Sequence, residues 1–157
     1  MATLEERIQK LEDEAAIRDL AATFADAATR NDMALLASVW TKEGIFTIEA
    51  PLKNVCSGVE EIVTLISKLR GDKEFFVQFV HSGVMDVKGD HATARWIMRE
   101  VGKGGDKYYH NYGMFSDAME KVDGKWLFTE RTWHFAYLDF SPFTGTGYAL
   151  PSSVTAH

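Results

Sequence analysis

The sequence predicts an α+β domain in which a curved antiparallel or mixed sheet wraps around N-terminal helices and leaves an apolar pocket inside. Three observations lead there. Apolar residues recur at helical spacing through residues 4–28. From residue 75 onward, aromatic and β-branched runs are separated only by short turn signals. Strands and helices do not alternate, which argues against a doubly wound parallel sheet.

The elements follow in order. Residues 3–30 read as one long helix with room for a single break. Thr3 and Glu6 form a capping box at its start, and Leu4, Ile8, Leu11, Ala15, Ile17, Leu20, Phe24 and Ala28 make the apolar stripe. Asp32 caps a second short helix that runs through Trp40, ended by Lys42-Glu43-Gly44. Residues 44–49 alternate as a strand with Phe46 and Ile48 on one face, and Pro51 stops it. Ser57 and Glu60 form a second capping box for a helix over 59–69, closed by Gly71. Strands are expected over 75–87, 92–101, 108–122 and 125–140. Lys88-Gly89-Asp90, Gly104-Gly105-Asp106 and Asp123-Gly124 are the turns between them, the last being the strongest hairpin signal. Residues 141–157 read as an irregular tail that folds over the pocket mouth or onto a neighbouring subunit.

The whole chain, 1–157, reads as one domain, with 1–13 a charged helical extension that packs on a partner subunit. A chain of 157 residues can bury roughly 70% of its unfolded surface. With 46% hydrophobic and 25% charged residues it is not disordered. The 17 Lys+Arg against 23 Asp+Glu leave a formal net charge of -6 without any basic cluster, which disfavours nucleic acid as a partner. No apolar run reaches the roughly 18 residues of a membrane span. One cysteine, Cys56, cannot form an internal disulfide, and residues 1–7 lack the apolar core of a signal peptide, so a cytoplasmic location is expected.

Chemistry-bearing motifs are few. No phosphate-binding glycine loop and no Gly-x-Ser-x-Gly elbow occurs, and no cofactor is expected. His81, His91, His110, His134 and His157 show no metal-ligand spacing, so no metal is expected either. Strand alternation puts Trp96, Met98 and Glu100 on one face and Arg95, Ile97 and Arg99 on the other; Asn111, Gly113 and Phe115 likewise share a face. A glutamate on an apolar wall has its pKa raised and suits a general acid or base. It reads equally as a solvated strand-end charge beside Lys103. His81 lies in the apolar run Phe79-Val80-His81 and reads either as a catalytic base or as a hydrogen-bonded core histidine. Asp26 reads as an acid partner or as an exposed helix charge. Asp117 and Arg131 read as a cross-strand pair rather than a site.

One distributed pattern is more specific. Ala16-Ile17-Arg18-Asp19-Leu20, Asn31-Asp32, Leu36-Ala37-Ser38-Val39-Trp40, Val80-His81, Gly89-Asp90-His91-Ala92-Thr93-Ala94 and Glu120-Lys121-Val122-Asp123-Gly124-Lys125-Trp126 occur in that order. Over residues 14–135 the chain resembles the SnoaL-like branch of the nuclear transport factor two-like superfamily. The resemblance implies a cone-shaped fold with a deep pocket. It implies cofactor-free dehydratase, dehydrochlorinase, cyclase or isomerase chemistry, and dimers or trimers. It also implies a catalytic histidine at His81 paired with an acid late in the first helix. Counted from Ile17, that acid falls on Thr29, so the acidic half of the dyad is missing; a pocket tyrosine of the dehydratases falls on Phe24. Family pocket positions fall on Trp96, Glu100, Gly113 and Phe115.

The expected function is therefore a cofactor-free lyase or isomerase acting on a small hydrophobic cyclic molecule. His81 is the expected base, with Glu100 or Asp26 orienting it or shuttling the proton. The expected pocket comprises Phe24, Thr29, Trp40, Phe46, Ile48, Trp96, Met98, Asn111 and Phe115. The alternative is a non-catalytic binding or assembly module of the same fold, for which Thr29 speaks. A homodimer or homotrimer is expected from the large apolar residues on both faces of the last strand.

Overall fold

Thr3 opens the first helix by the reciprocal cap its sequence encodes: its hydroxyl accepts from the Glu6 N–H, and the Glu6 carboxylate accepts from the Thr3 N–H at 2.7 Å. The computed structural model describes residues 2–71 and 73–155, so residues 1, 72, 156 and 157, with the tail end and His157, lie outside the described residues. Helix α1, Leu4–Arg30, is unbroken and closes at Asn31 in the left-handed region, φ 63°. Its buried face carries Ile17, Leu20, Phe24 and Ala28, whereas Leu4, Ile8 and Leu11 are exposed. The buried Asp13 accepts from Trp126 Nε1 at 2.9 Å and pairs with Lys121 at 2.6 Å, tying α1 to the far end of the sheet. Burial works to raise its pKa, but the hydrogen bonds from Lys121 and Trp126 prevail and hold the carboxyl below its ordinary value.

Helix α2, Met33–Ser38, is capped by the Asp32 carboxylate, which accepts from the Leu35 N–H. It stops earlier than its sequence suggests. Strand β1, Trp40–Ile48, already begins at Trp40, because Trp40 pairs in parallel with Phe128 of the last strand. A short strand absent from the sequence reading, β2, Asn54–Ser57, pairs antiparallel with β1. Helix α3, Val59–Arg70, starts at Gly58 without a side-chain cap. The expected box between Ser57 and Glu60 does not form; the Glu61 carboxylate accepts from the Ser57 N–H instead.

The four long strands are β3, Phe75–Lys88; β4, His91–Gly104; β5, Lys107–Val122; and β6, Lys125–Asp139. They form an antiparallel meander, and β1 joins β6 in parallel, giving a mixed sheet of order β2-β1-β6-β5-β4-β3 that is curved but not closed. One face packs on the helices around a core of Phe24, Trp40, Phe46, Phe115 and Phe128. Arg131 sits inside this core, its Cζ 4.1–4.5 Å from the ring centres of Phe24, Phe115 and Phe128. Asp117 meets it from β5 with two hydrogen bonds of 2.8 and 2.7 Å, the cross-strand pair expected from sequence.

The tail leaves β6 at the pocket rim. Phe140 lies 6.4 Å from the Tyr109 ring, and Phe143 packs 5.8 Å from Phe75 and 5.4 Å from Tyr108. Its one regular turn is α4, Ser152–Thr155. No helix among the described residues is long and apolar enough to cross a membrane.

Candidate active site

Between α1, α3 and the concave face of the sheet lies a cavity of about 710 Å³. Its deep wall is apolar, with Phe24 and Ala28 from α1, Phe46 from β1, Ile66 from α3, Phe76 from β3 and Trp133 from β6. These side chains face inward because each occupies the buried phase of its element's own periodicity. A volume of this size suits a small organic molecule of one to several rings.

One carboxylate stands in this wall. Glu100 is the inward residue next to Met98 on β4 and is only 3% exposed. Gln78 Nε2 donates to its Oε1, while Tyr109 Oη donates to Oε2 at 2.8 Å and Asn111 Nδ2 to Oε2 at 3.3 Å. Register explains the convergence: Gln78 and Asn111 are the direct cross-strand neighbours of Glu100 on β3 and β5. Burial drives the Glu100 pKa up, and the three donors and the Lys73 charge pull it back; the balance is about 7. The Tyr109 hydroxyl is pushed up as well. Burial and the neighbouring Glu100 charge raise its pKa well above the ordinary value, so it remains a donor.

Gln78 Oε1 has no hydrogen-bond partner among the described residues. Rotating that amide presents an acceptor where a donor stood. One side chain can thus serve ionised Glu100 as donor and protonated Glu100 as acceptor. The group is built to hold either protonation state.

The other expected site residues divide. Phe24 and Phe46 line the cavity with Glu100. Trp40, Ile48, Trp96, Met98, Asn111 and Phe115 are buried, but none is among the lining residues; Asn111 acts by touching Glu100. Trp96 is engaged elsewhere, donating to Asp117 at 2.8 Å. Asp26 points away from the cavity and pairs with Arg30 at 2.8 Å, half exposed. Thr29 is a fastening: its hydroxyl accepts from the Gln78 N–H at 3.0 Å, pinning β3 on α1.

His81 requires a correction. It is exposed on the outer face of the sheet, stacked 5.9 Å from Phe79, and does not line the cavity. Inward positions on β3 are Phe76 and Gln78, and the strand is irregular between Val80 and Gly83. The β3 residue that meets Thr29 is Gln78. Thr29 therefore meets Gln78 and not His81, the partner that the resemblance implied.

Sequence reasoning missed Gln78, Tyr109, Trp133 and the cations of α3. Gln78 was not legible as the neighbour of Glu100: counted back from the turn at 88–90, Glu100 falls opposite Phe79, and the irregularity between Val80 and Gly83 brings Gln78 there instead. Nor were the α3 cations, since they sit on the polar side of a helix whose packing is decided by the distant strands.

A sequence profile of the SnoaL-like domain family matches residues 9–132. No curated protein matches the chain by sequence. Several solved structures share its fold. A hexachlorocyclohexane dehydrochlorinase, LinA-type3 of Novosphingobium barchaimii LL02, is 19% identical, with 92% of this chain and 99% of that chain covered and a TM-score of 0.78. A protein of Novosphingobium aromaticivorans DSM 12444 proposed to be a scytalone dehydratase is 15% identical, covering 88% and 94%, with a TM-score of 0.76. Rv3472 of Mycobacterium tuberculosis, a protein of unknown function solved as its D26N variant, is 20% identical, covering 94% and 85%, with a TM-score of 0.72. At these identities the likeness is one of fold.

Proposed function

We propose that this chain, which belongs to the SnoaL-like domain family, is a lyase or isomerase that moves a proton on a small hydrophobic cyclic molecule, with Glu100 as the base. The observation that carries the reading is a fully enclosed carboxylate in the wall of an apolar cavity, with its pKa near 7. A base of that strength is half ionised at neutral pH and can both take a proton and return it.

In the ionised form, Glu100 faces a cavity whose deep wall is apolar. A substrate carbon made acidic by a neighbouring carbonyl, or carrying a leaving group on the adjacent carbon, gives its proton to a Glu100 oxygen. The C–H electron pair then expels the leaving group, as in a dehydration or dehydrohalogenation, or moves into a conjugated system that is reprotonated elsewhere, as in an isomerisation. Tyr109 and Asn111 hold the carboxylate still, and Gln78 follows its change of charge. The dehydrochlorinase and dehydratase names among the fold relatives are in keeping with this class of chemistry. A non-catalytic binding module is the second reading, favoured by Thr29, which stands where the acid of the relatives' dyad was expected.

The test is turnover across a panel of cyclic ketones, alcohols and halides, followed by mass spectrometry. Glu100→Gln should lower turnover by about 100-fold or more, the scale of a lost general base. His81→Ala should leave it within about threefold, as for a residue outside the chemistry. A Glu100→Gln variant with full turnover would sink the catalytic assignment.

We also propose that the chain forms a homodimer through the outer face of the sheet, where Phe79, Ile97, Tyr112, Met114 and Tyr137 are exposed.

A further inference from the structure

The mouth of the cavity differs from its deep wall. Lys68, Arg70, Lys73 and Lys107 line it, against the carboxylates of Asp106 and Glu100. This excess of cations is local, because the chain as a whole has a formal net charge of -6. Composition alone would have put the reverse balance there.

Two of the cations are half-buried and form no ion pair with a carboxylate among the described residues. Arg70 makes no hydrogen bond or ion pair with any described residue, and its Nε is buried. Lys73 donates to the carbonyl oxygens of Leu69 and Arg70 at the end of α3, but pairs with no carboxylate among the described residues. Both stand against one ring, with Arg70 Cζ 5.3 Å and Lys73 Nζ 6.0 Å from the centre of Phe76. Burial lowers the pKa of each. Unpaired charges withdrawn from water are costly, and a protein keeps them where an anion arrives to pair with them.

Resting on the reading of this cavity as a small-molecule site, we propose that its ligands are cyclic carboxylic acids: the ring fills the apolar wall, and the carboxylate is held between Arg70 and Lys73. A carboxylate fits better than a phosphate ester. Its two acceptor oxygens can pair side by side with the planar Arg70 guanidinium, and Lys73, with two of its three N–H donors already on the carbonyls of α3, has one left for it. The anion would sit at the mouth and leave the far end of the ring system toward Glu100. The Lys73 charge is felt by Glu100, so the two ends of the ligand site are electrostatically linked. A bound anion beside Lys73 would offset that charge and favour the protonated form of Glu100.

Calorimetry with 2-naphthoate and its neutral isostere 2-naphthamide tests this, at pH 6.5, where the probe acid is ionised. The acid should bind at least about tenfold tighter than the amide, and raised salt should narrow the gap. Arg70→Gln with Lys73→Gln, which keep polar donors and remove the charges, should bring the acid down to the affinity of the amide and leave the amide unchanged. Equal binding of the two probes to the natural chain, or a preference that survives the double substitution, overturns the proposal. The same pair measured on Glu100→Gln separates this result from the catalytic reading. The acid preference must persist or widen there, since the variant removes a carboxylate that competes for the Lys73 charge, whereas the catalytic reading stands or falls on turnover by that variant.

Discussion

Glu100 carries opposing forces that can be read separately. Burial favours its neutral form, and hydrogen bonds from Gln78, Tyr109 and Asn111 favour the charged one. Burial wins by enough to raise the pKa from 4.5 to about 7. The consequence for stability has a definite sign. Below pH 4.5 both folded and unfolded chains hold the proton. As pH rises toward 7 the unfolded chain releases it first, so the folded state loses ground, by about 3 kcal/mol once pH exceeds 7. Glu100→Gln has no such proton to lose. Its stability relative to the natural chain should therefore climb by about 3 kcal/mol between pH 4.5 and pH 8 in denaturant unfolding. A difference that stays constant with pH would mean the group titrates normally. His81 differs in place: its apolar neighbours in sequence, Phe79 among them, belong to an exposed apolar face rather than to the pocket.

At the scale of elements, strand parity decides which residues form the site. Trp96, Met98 and Glu100 were legible as one face because β4 runs in unbroken register against β5. The last strand was not. Counted straight through, Trp133 shares a face with Leu127. In the structure Thr129 is an extra residue opposite the Ala118–Met119 step, so parity reverses and Arg131 and Trp133 turn inward. No local signal in the sequence marks that bulge; it serves the pairing of Arg131 with Asp117. The parallel contact of β1 with β6 was equally hidden, since it depends on residues some 90 positions apart, Trp40 and Phe128. The buried pair makes a sharp prediction. Asp117 also accepts from Trp96 Nε1, so Asp117→Asn leaves Arg131 charged and uncompensated among three aromatic rings. Unfolding in denaturant should show a loss of about 3–5 kcal/mol. A loss below about 1 kcal/mol would mean that the rings alone hold the guanidinium.

At the scale of the whole molecule, one surface of the sheet makes the cavity and the other is left with exposed aromatic and aliphatic side chains. The N-terminal turns of α1 add Leu4, Ile8 and Leu11, also exposed. A stable partner face of this composition should be occupied in solution. Light scattering at micromolar concentration should give twice the chain mass, and Ile97→Lys with Tyr112→Lys should return it to one. A natural chain that scatters as a monomer would remove the proposed interface. The cone architecture was readable from the order of helices and strands. Its candidate site was only half readable, because the buried carboxylate is framed by where three strands bring Gln78, Glu100 and Asn111 side by side rather than by any contiguous motif.

That chemistry rests on a carboxyl group at the cavity wall changing charge near neutral pH. The direct measurement is a carbon-13 NMR titration of the glutamate side-chain carboxyls, with the Glu100 resonance identified by its absence in Glu100→Gln. A midpoint near pH 7, far from the other glutamates, is the predicted result. A Glu100 midpoint near 4.5, the ordinary value, would contradict it and leave the cavity without a base suited to its proposed reaction.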